Sequence, residues 1–153
     1  MSSQLPGREG FAGFRRVTVR WSDVDIYGHV NNAAYYLFVD TAVNEWLIRH
    51  VGEDLRQDPQ IGIVAETGCR FVAEIDFPCE LEVGLAVERI GRSSVTYRFG
   101  IFVVDEASIR AFGRFVHVYV DRVTRRPSSI PDSVRMALAH LPAVPASGMD
   151  PSR

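Results

Sequence analysis

One helix-length segment, residues 32–51, is apolar around most of its circumference, and this feature constrains the fold more than any other. Its polar side chains form only a narrow stripe at helical spacing: Asp40, Thr41, Asn44, Glu45 and Arg49. A helix with so wide an apolar surface has to be surrounded by other elements rather than laid on one of them. The sequence therefore predicts a central helix that the remainder of the chain encloses.

Strand-like segments on both sides of this helix supply the enclosing element. Residues 14–21 alternate apolar and polar side chains before it, and residues 61–73, 79–89, 95–103 and 109–121 do so after it. Period-two alternation is typical of strands with one buried face. The short links between the later strands favour antiparallel pairing. We predict an α+β fold in which a five-stranded antiparallel sheet wraps around one long helix.

Three finer expectations concern individual strands. Val17, Val19 and Trp21 should face the interior from the first strand, and the odd-numbered residues of 61–71 should do so from the second. The alternation of the last strand changes phase around Gly113, which predicts a β-bulge at that residue. These positions set which side chains can reach the helix.

The chain has 153 residues, which suits a single domain. We expect that domain over residues 13–141, a flexible leader over 1–12 and a flexible tail over 142–153. The formal net charge of −2 predicts neither nucleic acid nor an acidic membrane as a partner. The polar start of the chain and the absence of a long apolar run predict a cytoplasmic protein.

All 17 basic residues are arginine, and the absence of lysine excludes a P-loop lysine and a Schiff base. Any phosphate would have to be held by arginine, backbone N–H groups or hydroxyls. Arg92, Ser93 and Ser94 lie in one predicted turn, and Arg125 follows the last strand. Two such turns could clamp a phosphate, and surface charge without a role is the open alternative.

The segment RWSDVDIYGHVNN, residues 20–32, leads from the first strand into the helix. Asp23 is nearest to the strand and is expected to be a turn or cap residue. Gly28 lets the loop fold back, so that the Asp25 carboxylate can approach the unpaired N–H groups of the helix start. The N–H of Asn32 could then bind a carbonyl oxygen as an oxyanion hole. Spacing alone leaves both a capping and a catalytic role open for Asp25.

Other polar residues have competing interpretations. His29 has no serine or cysteine nucleophile motif beside it, which favours anchoring the loop or positioning a substrate over a role as base. Asn31 is most simply a helix cap. His117 lies in an apolar strand and is expected to be a core or interface histidine with its hydrogen bonds satisfied. Metal binding by Asp23 and Asp25 is disfavoured because hard cations need more oxygen ligands.

The segment RWSDVDIYGHVNNAAYYLFVD resembles the loop of hotdog-fold acyl-CoA thioesterases, most closely the branch typified by 4-hydroxybenzoyl-CoA thioesterase. The similarity continues through the strands to about residue 131. It implies a hotdog fold, hydrolysis of an acyl-CoA thioester, and an active site at the interface of a homodimer, often within a homotetramer. Coenzyme A would be part of the substrate, and no separate cofactor is implied.

The resemblance also implies residue roles. Asp25 would attack the thioester or activate water, the N–H of Asn32 would polarise its carbonyl, and the two arginine turns would hold the nucleotide end of coenzyme A. We predict substrate-binding residues in the loop and in those turns: Tyr27, His29, Arg92, Ser93, Ser94 and Arg125.

Three alternatives remain on the same fold: a thioesterase for acyl-carrier-protein substrates, a hydratase or dehydratase, and a protein that binds acyl thioesters without catalysis. Hydration chemistry would pair a histidine with an acid on the helix. It is disfavoured because the helical acids Asp40 and Glu45 lie on the polar stripe.

Overall fold

A computed structural model describes residues 4–52 and 55–146 and contains a five-stranded antiparallel sheet packed against one long helix. The strand order is β1-β3-β4-β5-β2, so β1 and β2 form the two edges. The elements, in chain order, are β1 (Ala12–Thr18), α1 (Asn32–Val51), β2 (Gln60–Phe71), β3 (Glu80–Ile90), β4 (Ser94–Val103), β5 (Ile109–Asp121) and α2 (Asp132–Leu138). The predicted fold class and the bounds of the central helix are confirmed.

The helix α1 contributes one broad face to the main core. The buried residues of this face are Ala34, Tyr35, Phe38, Val39, Ala42, Val43, Trp46 and Leu47. They pack with inward-facing side chains of the sheet such as Leu81, Leu85, Tyr97, Phe99 and Ile101. Full burial of a large apolar side chain contributes roughly 1.5–3 kcal/mol. This packing holds the start of α1 in a defined position relative to the end of β2.

The first strand ends earlier than predicted. β1 stops at Thr18, and Trp21 lies in the short 3-10 turn Trp21–Asp23 with 76% of its surface exposed. The expectation that Trp21 faces the interior is therefore wrong. Its indole instead packs edge-to-face on Phe77, with ring centroids 5.4 Å apart.

The second strand changes face at a bulge. Val64 pairs with His117 and Glu66 with Val116, so Ala65 is an extra residue. Paired residues share a face, and Gly62 and Val64, rather than Ile61 and Ile63, therefore lie opposite the inward-facing residues of β5. The prediction of one odd-numbered face along β2 holds only after the bulge.

The bulge predicted at Gly113 is also displaced. Gly113 pairs regularly with Cys69 on one side and Phe99 on the other. The irregularity falls at Arg110, because Ala111 pairs with Ile101 and Ile109 with Phe102.

Both ends of the described chain contact the sheet. Arg8 Nη1 lies 2.5 Å from Glu82 Oε2, and the Val144 N–H donates to the Val87 carbonyl at 2.9 Å. Arg8 falls within the predicted leader and Val144 within the predicted tail; residues 1–3 and 147–153 lie outside the described residues. No helix in residues 4–52 or 55–146 is long and apolar enough to cross a membrane.

Candidate active site

The loop between β1 and α1 folds back on itself, as its glycine predicts. Gly28 has a φ of 83°, in the left-handed region that glycine adopts without strain. The Gly28 N–H donates to the Asp25 carbonyl at 3.1 Å, and the Asp25 N–H donates to the His29 carbonyl at 3.0 Å. This tight turn folds the loop back, so that Asp25 and the first residue of α1, Asn32, line the same cavity.

The first turn of α1 leaves one amide free. Asn31 is the helix cap: its Oδ1 accepts from the Ala33 N–H at 2.9 Å, and its carbonyl accepts from the Ala34 N–H at 2.9 Å. The Asn32 N–H has no hydrogen-bond partner within residues 4–52 and 55–146. A free N–H at the positive end of a helix is a donor for an anionic or polarised oxygen.

Four of the predicted site residues line one cavity of about 430 Å³, which we call the Asp25 cavity: Asp25, Tyr27, His29 and Asn32. Asp25 Oδ1 accepts from the Tyr27 N–H at 2.9 Å, which orients the half-buried carboxylate. Asp25 and Asn32 also border a second space of about 860 Å³ on the other side of the loop, beside Trp21 and Phe77. The residue with the carboxylate and the residue with the free helix-start amide thus border the same two spaces.

His29 joins the loop to the segment that follows β2. Its Nε2 lies 3.0 Å from Glu74 Oε2 and 3.8 Å from Asp76 Oδ1, and its backbone forms a bridge with Asp76. These contacts support the interpretation of His29 as a residue that anchors the loop at the rim of the Asp25 cavity.

Two aromatic residues of this cavity were not predicted as site residues. Tyr35 and Phe71 line it and pack edge-to-face with ring centroids 4.9 Å apart. Burial raises the pKa of the Tyr35 hydroxyl to about 12, so the hydroxyl stays neutral at physiological pH. Their apolar periodicity had placed both in the core, and no sequence signal distinguishes a core aromatic from one that lines a cavity.

Asp23 is a structural residue, as predicted. Its Oδ2 accepts from the Arg20 N–H at 2.8 Å, its Oδ1 lies 2.8 Å from Arg20 Nη2, and its carbonyl accepts from the Asn31 N–H at 2.7 Å. The side-chain hydrogen bond from Arg20 is the main cause that lowers the pKa of the Asp23 carboxyl below its usual 3.8. Asp23 therefore fixes the loop that carries Asp25.

Asp23→Asn is expected to lower the free energy of unfolding by about 1 kcal/mol at pH 7, because Arg20 is largely exposed and its charge is screened. The folded-state pKa is depressed, so this contribution is present above the unfolded-state value and is lost as the pH falls through the folded-state value. The free energies of unfolding of the two proteins, measured with urea, should converge as the pH falls from about 5 to about 2. A difference that persists undiminished at the acidic end would contradict this role.

The arginine turns lie at the other end of the sheet. β4 begins at Ser94 beside Val118, and the Ile130 N–H donates to the Arg92 carbonyl at 2.9 Å, so the two turns are neighbours. That contact is made by the segment after the Arg125 turn; exposed Arg125 itself has a φ of 61°. Ser93 also belongs to this group, through its carbonyl, which accepts from the Tyr119 N–H at 2.6 Å.

The length of β2 separates these turns from the Asp25 cavity. Gln60 at the start of β2 pairs with Asp121, whereas Phe71 at its end lines the Asp25 cavity. Twelve residues of strand span about 35 Å. Within one chain the structure therefore does not bring Arg92, Ser93, Ser94 and Arg125 to Asp25.

Among the residues the structure describes, no group of three or more His, Cys, Asp or Glu side chains could hold a metal ion. At the Asp25 cavity the chain itself supplies two reactive groups: the Asp25 carboxylate, as base or nucleophile, and the Asn32 N–H, as hydrogen-bond donor.

Comparisons with known proteins give a consistent result. Residues 19–138 match the sequence profile of the thioesterase-like superfamily. The PA5185 protein of Pseudomonas aeruginosa strain PAO1 is 45% identical, with 92% of this chain and 98% of that chain covered at a TM-score of 0.87.

Two more distant proteins extend the comparison. Slr0204, a 1,4-dihydroxy-2-naphthoyl-CoA thioesterase from Synechocystis, is 17% identical, with coverages of 84% and 96% and a TM-score of 0.76; this likeness is one of fold. YsmA of Bacillus subtilis (strain 168), an uncharacterized protein, is 24% identical over 93 residues, 60% of this chain. The matched region spans 62% of that curated relative.

Proposed function

The chain belongs to the thioesterase-like superfamily, and on that premise we propose that it hydrolyses acyl-CoA thioesters at the cavity where α1 begins. One observation carries the proposal: the Asp25 carboxylate and the free N–H of Asn32 line the same cavity. Thioester hydrolysis needs a nucleophile or base on one side of the carbonyl and a donor for the oxygen on the other.

In the proposed reaction the thioester carbonyl lies with its oxygen at the Asn32 N–H. Negative charge that develops on this oxygen is stabilised by that hydrogen bond and by the positive end of α1. Asp25 either attacks the carbonyl carbon, which forms a mixed anhydride and releases the coenzyme A thiolate, or removes a proton from an attacking water. Both routes end in the free acid and coenzyme A.

We further propose that two chains pair through the β2 edges. β2 carries twelve residues and exposes large apolar side chains, which is unusual for an edge strand without a partner. Leu37 and Ile48 on α1 are also exposed. They are eleven residues apart, which is about three helical turns, and they therefore lie on one face of the helix. Together with Val64 and Phe71 of β2, which lie on the helix-facing side of the sheet, they form an apolar strip that a second copy would cover.

Two-fold pairing also accounts for the distant arginines. An antiparallel β2–β2 contact places the start of one strand beside the end of the other. The partner subunit's Arg92 and Arg125 would then lie on the same side as this chain's Asp25 cavity. In this arrangement each site takes its carboxylate from one subunit and its phosphate-binding arginines from the other, whether the assembly is a homodimer or a homotetramer.

Val64→Asp is expected to separate the two chains. A carboxylate on the paired edge would be buried without a partner, which strongly opposes association. Sedimentation velocity should give a dimer or tetramer for the wild type and a monomer for the variant at micromolar concentration, with hydrolysis lost. Met136→Asp on exposed α2 is the matched control and should leave the assembly intact. A wild-type monomer that hydrolyses thioesters would overturn the paired arrangement.

The proposed activity is tested by release of free thiol from a panel of acyl-CoA thioesters, with wild type and Asp25→Ala measured in parallel. Acyl-carrier-protein thioesters are assayed beside them, and a higher kcat/KM on these would identify the carrier-bound substrate instead. Thermal protection by acyl-CoA without consumption would identify a binding protein and refute hydrolysis.

A further inference from the structure

A second cavity lies at the far end of α1, and no part of the proposed reaction uses it. It measures about 330 Å³, at the lower end of the range for small-molecule sites. It lies between the C-terminal half of α1 and the starting residues of β2, and we call it the His117 cavity. Its lining is mostly apolar, and the residues that matter for its chemistry are Arg56, Asp58, Ile61, Gly62, His117 and Tyr119.

The wall of this cavity carries a buried polar atom without a partner. His117 is 2% exposed, and its Nδ1 has no hydrogen-bond partner among the residues the structure describes. The expectation that His117 lies in the core is confirmed, whereas the expectation that its hydrogen bonds are satisfied is wrong at Nδ1. Buried polar atoms are nearly always hydrogen-bonded, so an unpaired one on a cavity wall points to a missing partner.

Two tyrosine rings contact the imidazole, and of these Tyr119 lines the cavity. The Tyr97 hydroxyl is buried and also unpartnered in the described part of the chain, and its ring packs edge-to-face on His117 at 5.7 Å. Burial lowers the pKa of His117 to about 4 and raises that of Tyr119 to about 12. At neutral pH the imidazole and both hydroxyls are therefore uncharged, although Arg56 and Asp58 also line the cavity. A charged ligand placed against His117 would lose hydration without gaining a counter-charge from that side chain.

Because residue 62 is glycine, no side chain stands between β2 and this imidazole. A Cβ atom at residue 62 would lie 3.2 Å from His117 Nδ1 and 3.2 Å from Tyr119 Cζ. Any side chain there would occupy space beside the unpaired nitrogen. The ligand that fits this cavity is largely apolar and carries one hydrogen-bonding group, because the lining is mostly apolar and the imidazole nitrogen is neutral and unpaired.

We propose that the His117 cavity binds a compact, neutral, largely apolar group with one hydroxyl, which hydrogen-bonds to His117 Nδ1. Such a group has two sources. It is either the acyl part of a thioester, which reaches the cavity from the partner's Asp25 site across paired β2 edges, or a separate small molecule. The first source rests on the proposed function, whereas the second does not.

Direct binding tests the chemistry without any turnover. Wild-type protein is titrated by calorimetry with 4-ethylphenol and with ethylbenzene, two probes that differ by one hydroxyl. One neutral hydrogen bond predicts roughly three- to tenfold tighter binding of 4-ethylphenol. The His117→Phe variant should bind the two equally, and Asp25→Asn should discriminate like the wild type.

Two further measurements guard against a variant that fails to fold. Gly62→Ala adds only one methyl beside Nδ1 and should weaken 4-ethylphenol binding. In the wild type, the assigned imidazole ¹⁵N resonances of His117 should shift on addition of 4-ethylphenol and not of ethylbenzene. Equal affinity for both probes, an unmoved His117 resonance, or discrimination that survives His117→Phe would each overturn the proposal.

The source of the ligand is decided by kinetics on a matched pair, phenylacetyl-CoA and hydroxyphenylacetyl-CoA. A higher kcat/KM for the hydroxylated substrate that disappears in His117→Phe, with competitive inhibition by 4-ethylphenol, identifies the acyl group. Probe discrimination without competition identifies a separate small molecule. If no thioester is hydrolysed, the proposed function fails while the binding titrations still decide the inference.

Discussion

Replacing Asp25 by asparagine is expected to lower the rate of thioester hydrolysis by about two orders of magnitude or more. The amide has nearly the shape of the carboxylate, but it neither attacks a carbonyl nor accepts a proton from water. The only hydrogen bond of the Asp25 side chain within the described residues is the one accepted from the Tyr27 N–H, and an amide oxygen can accept it equally well. Turnover should therefore fall while the thermal unfolding midpoint stays unchanged.

Asp76→Asn is the matched control for this experiment. Asp76 is an exposed carboxylate near the same cavity, 3.8 Å from His29 Nε2, and its neutralisation removes the same charge without touching the proposed chemistry. It should retain turnover within a few-fold of the wild type. Hydrolysis by Asp25→Asn at the rate of this control would remove Asp25 from the mechanism.

The largest loss of stability is expected from Gly113→Ala, at about 3 kcal/mol or more. A Cβ at this position would lie 1.9 Å from the Gly68 carbonyl oxygen and 2.8 Å from Phe99 Cζ. The oxygen belongs to the backbone of β2, so the clash is relieved only if β2 and β5 move apart. Urea unfolding should show a midpoint well below that of the wild type.

Gly10→Ala provides the comparison, because a Cβ at Gly10 meets no atom within 4 Å. Its free energy of unfolding should stay within about 0.5 kcal/mol of the wild type. Equal unfolding midpoints for the two variants would show that the β2–β5 contact is not as close at Gly113 as these distances require.

The sequence predicted the elements that have strong local periodicity. The bounds of α1 follow from its helical spacing, its Asn31 cap and the Gly52 that ends it in the left-handed conformation with φ 73°. Strand alternation likewise predicted the five strands. The seven-residue α2 was missed because so short a helix presents too few turns for a 3.6-residue period to be distinguished.

The candidate site was predictable to the extent that it is local. Asp25, Tyr27, His29 and Asn32 lie within eight consecutive residues, and one glycine turn brings them to one cavity. The aromatic side of the cavity comes from β2, through Phe71, and no local pattern relates that strand to the loop.

The sequence by itself determined the central helix, the antiparallel sheet and the loop that places an acid at the helix start, because each depends on neighbours within a few residues. Only the tertiary structure decided which side chains of β2 face the helix, because the extra residue Ala65 changes their alternation. The tertiary structure likewise decided that Arg92 and Asp25 lie at opposite ends of β2. It also decided that His117 Nδ1 is left unpaired beside a cavity. Strand register and buried hydrogen bonding are set by residues far apart in the chain, so neither is encoded in any local pattern.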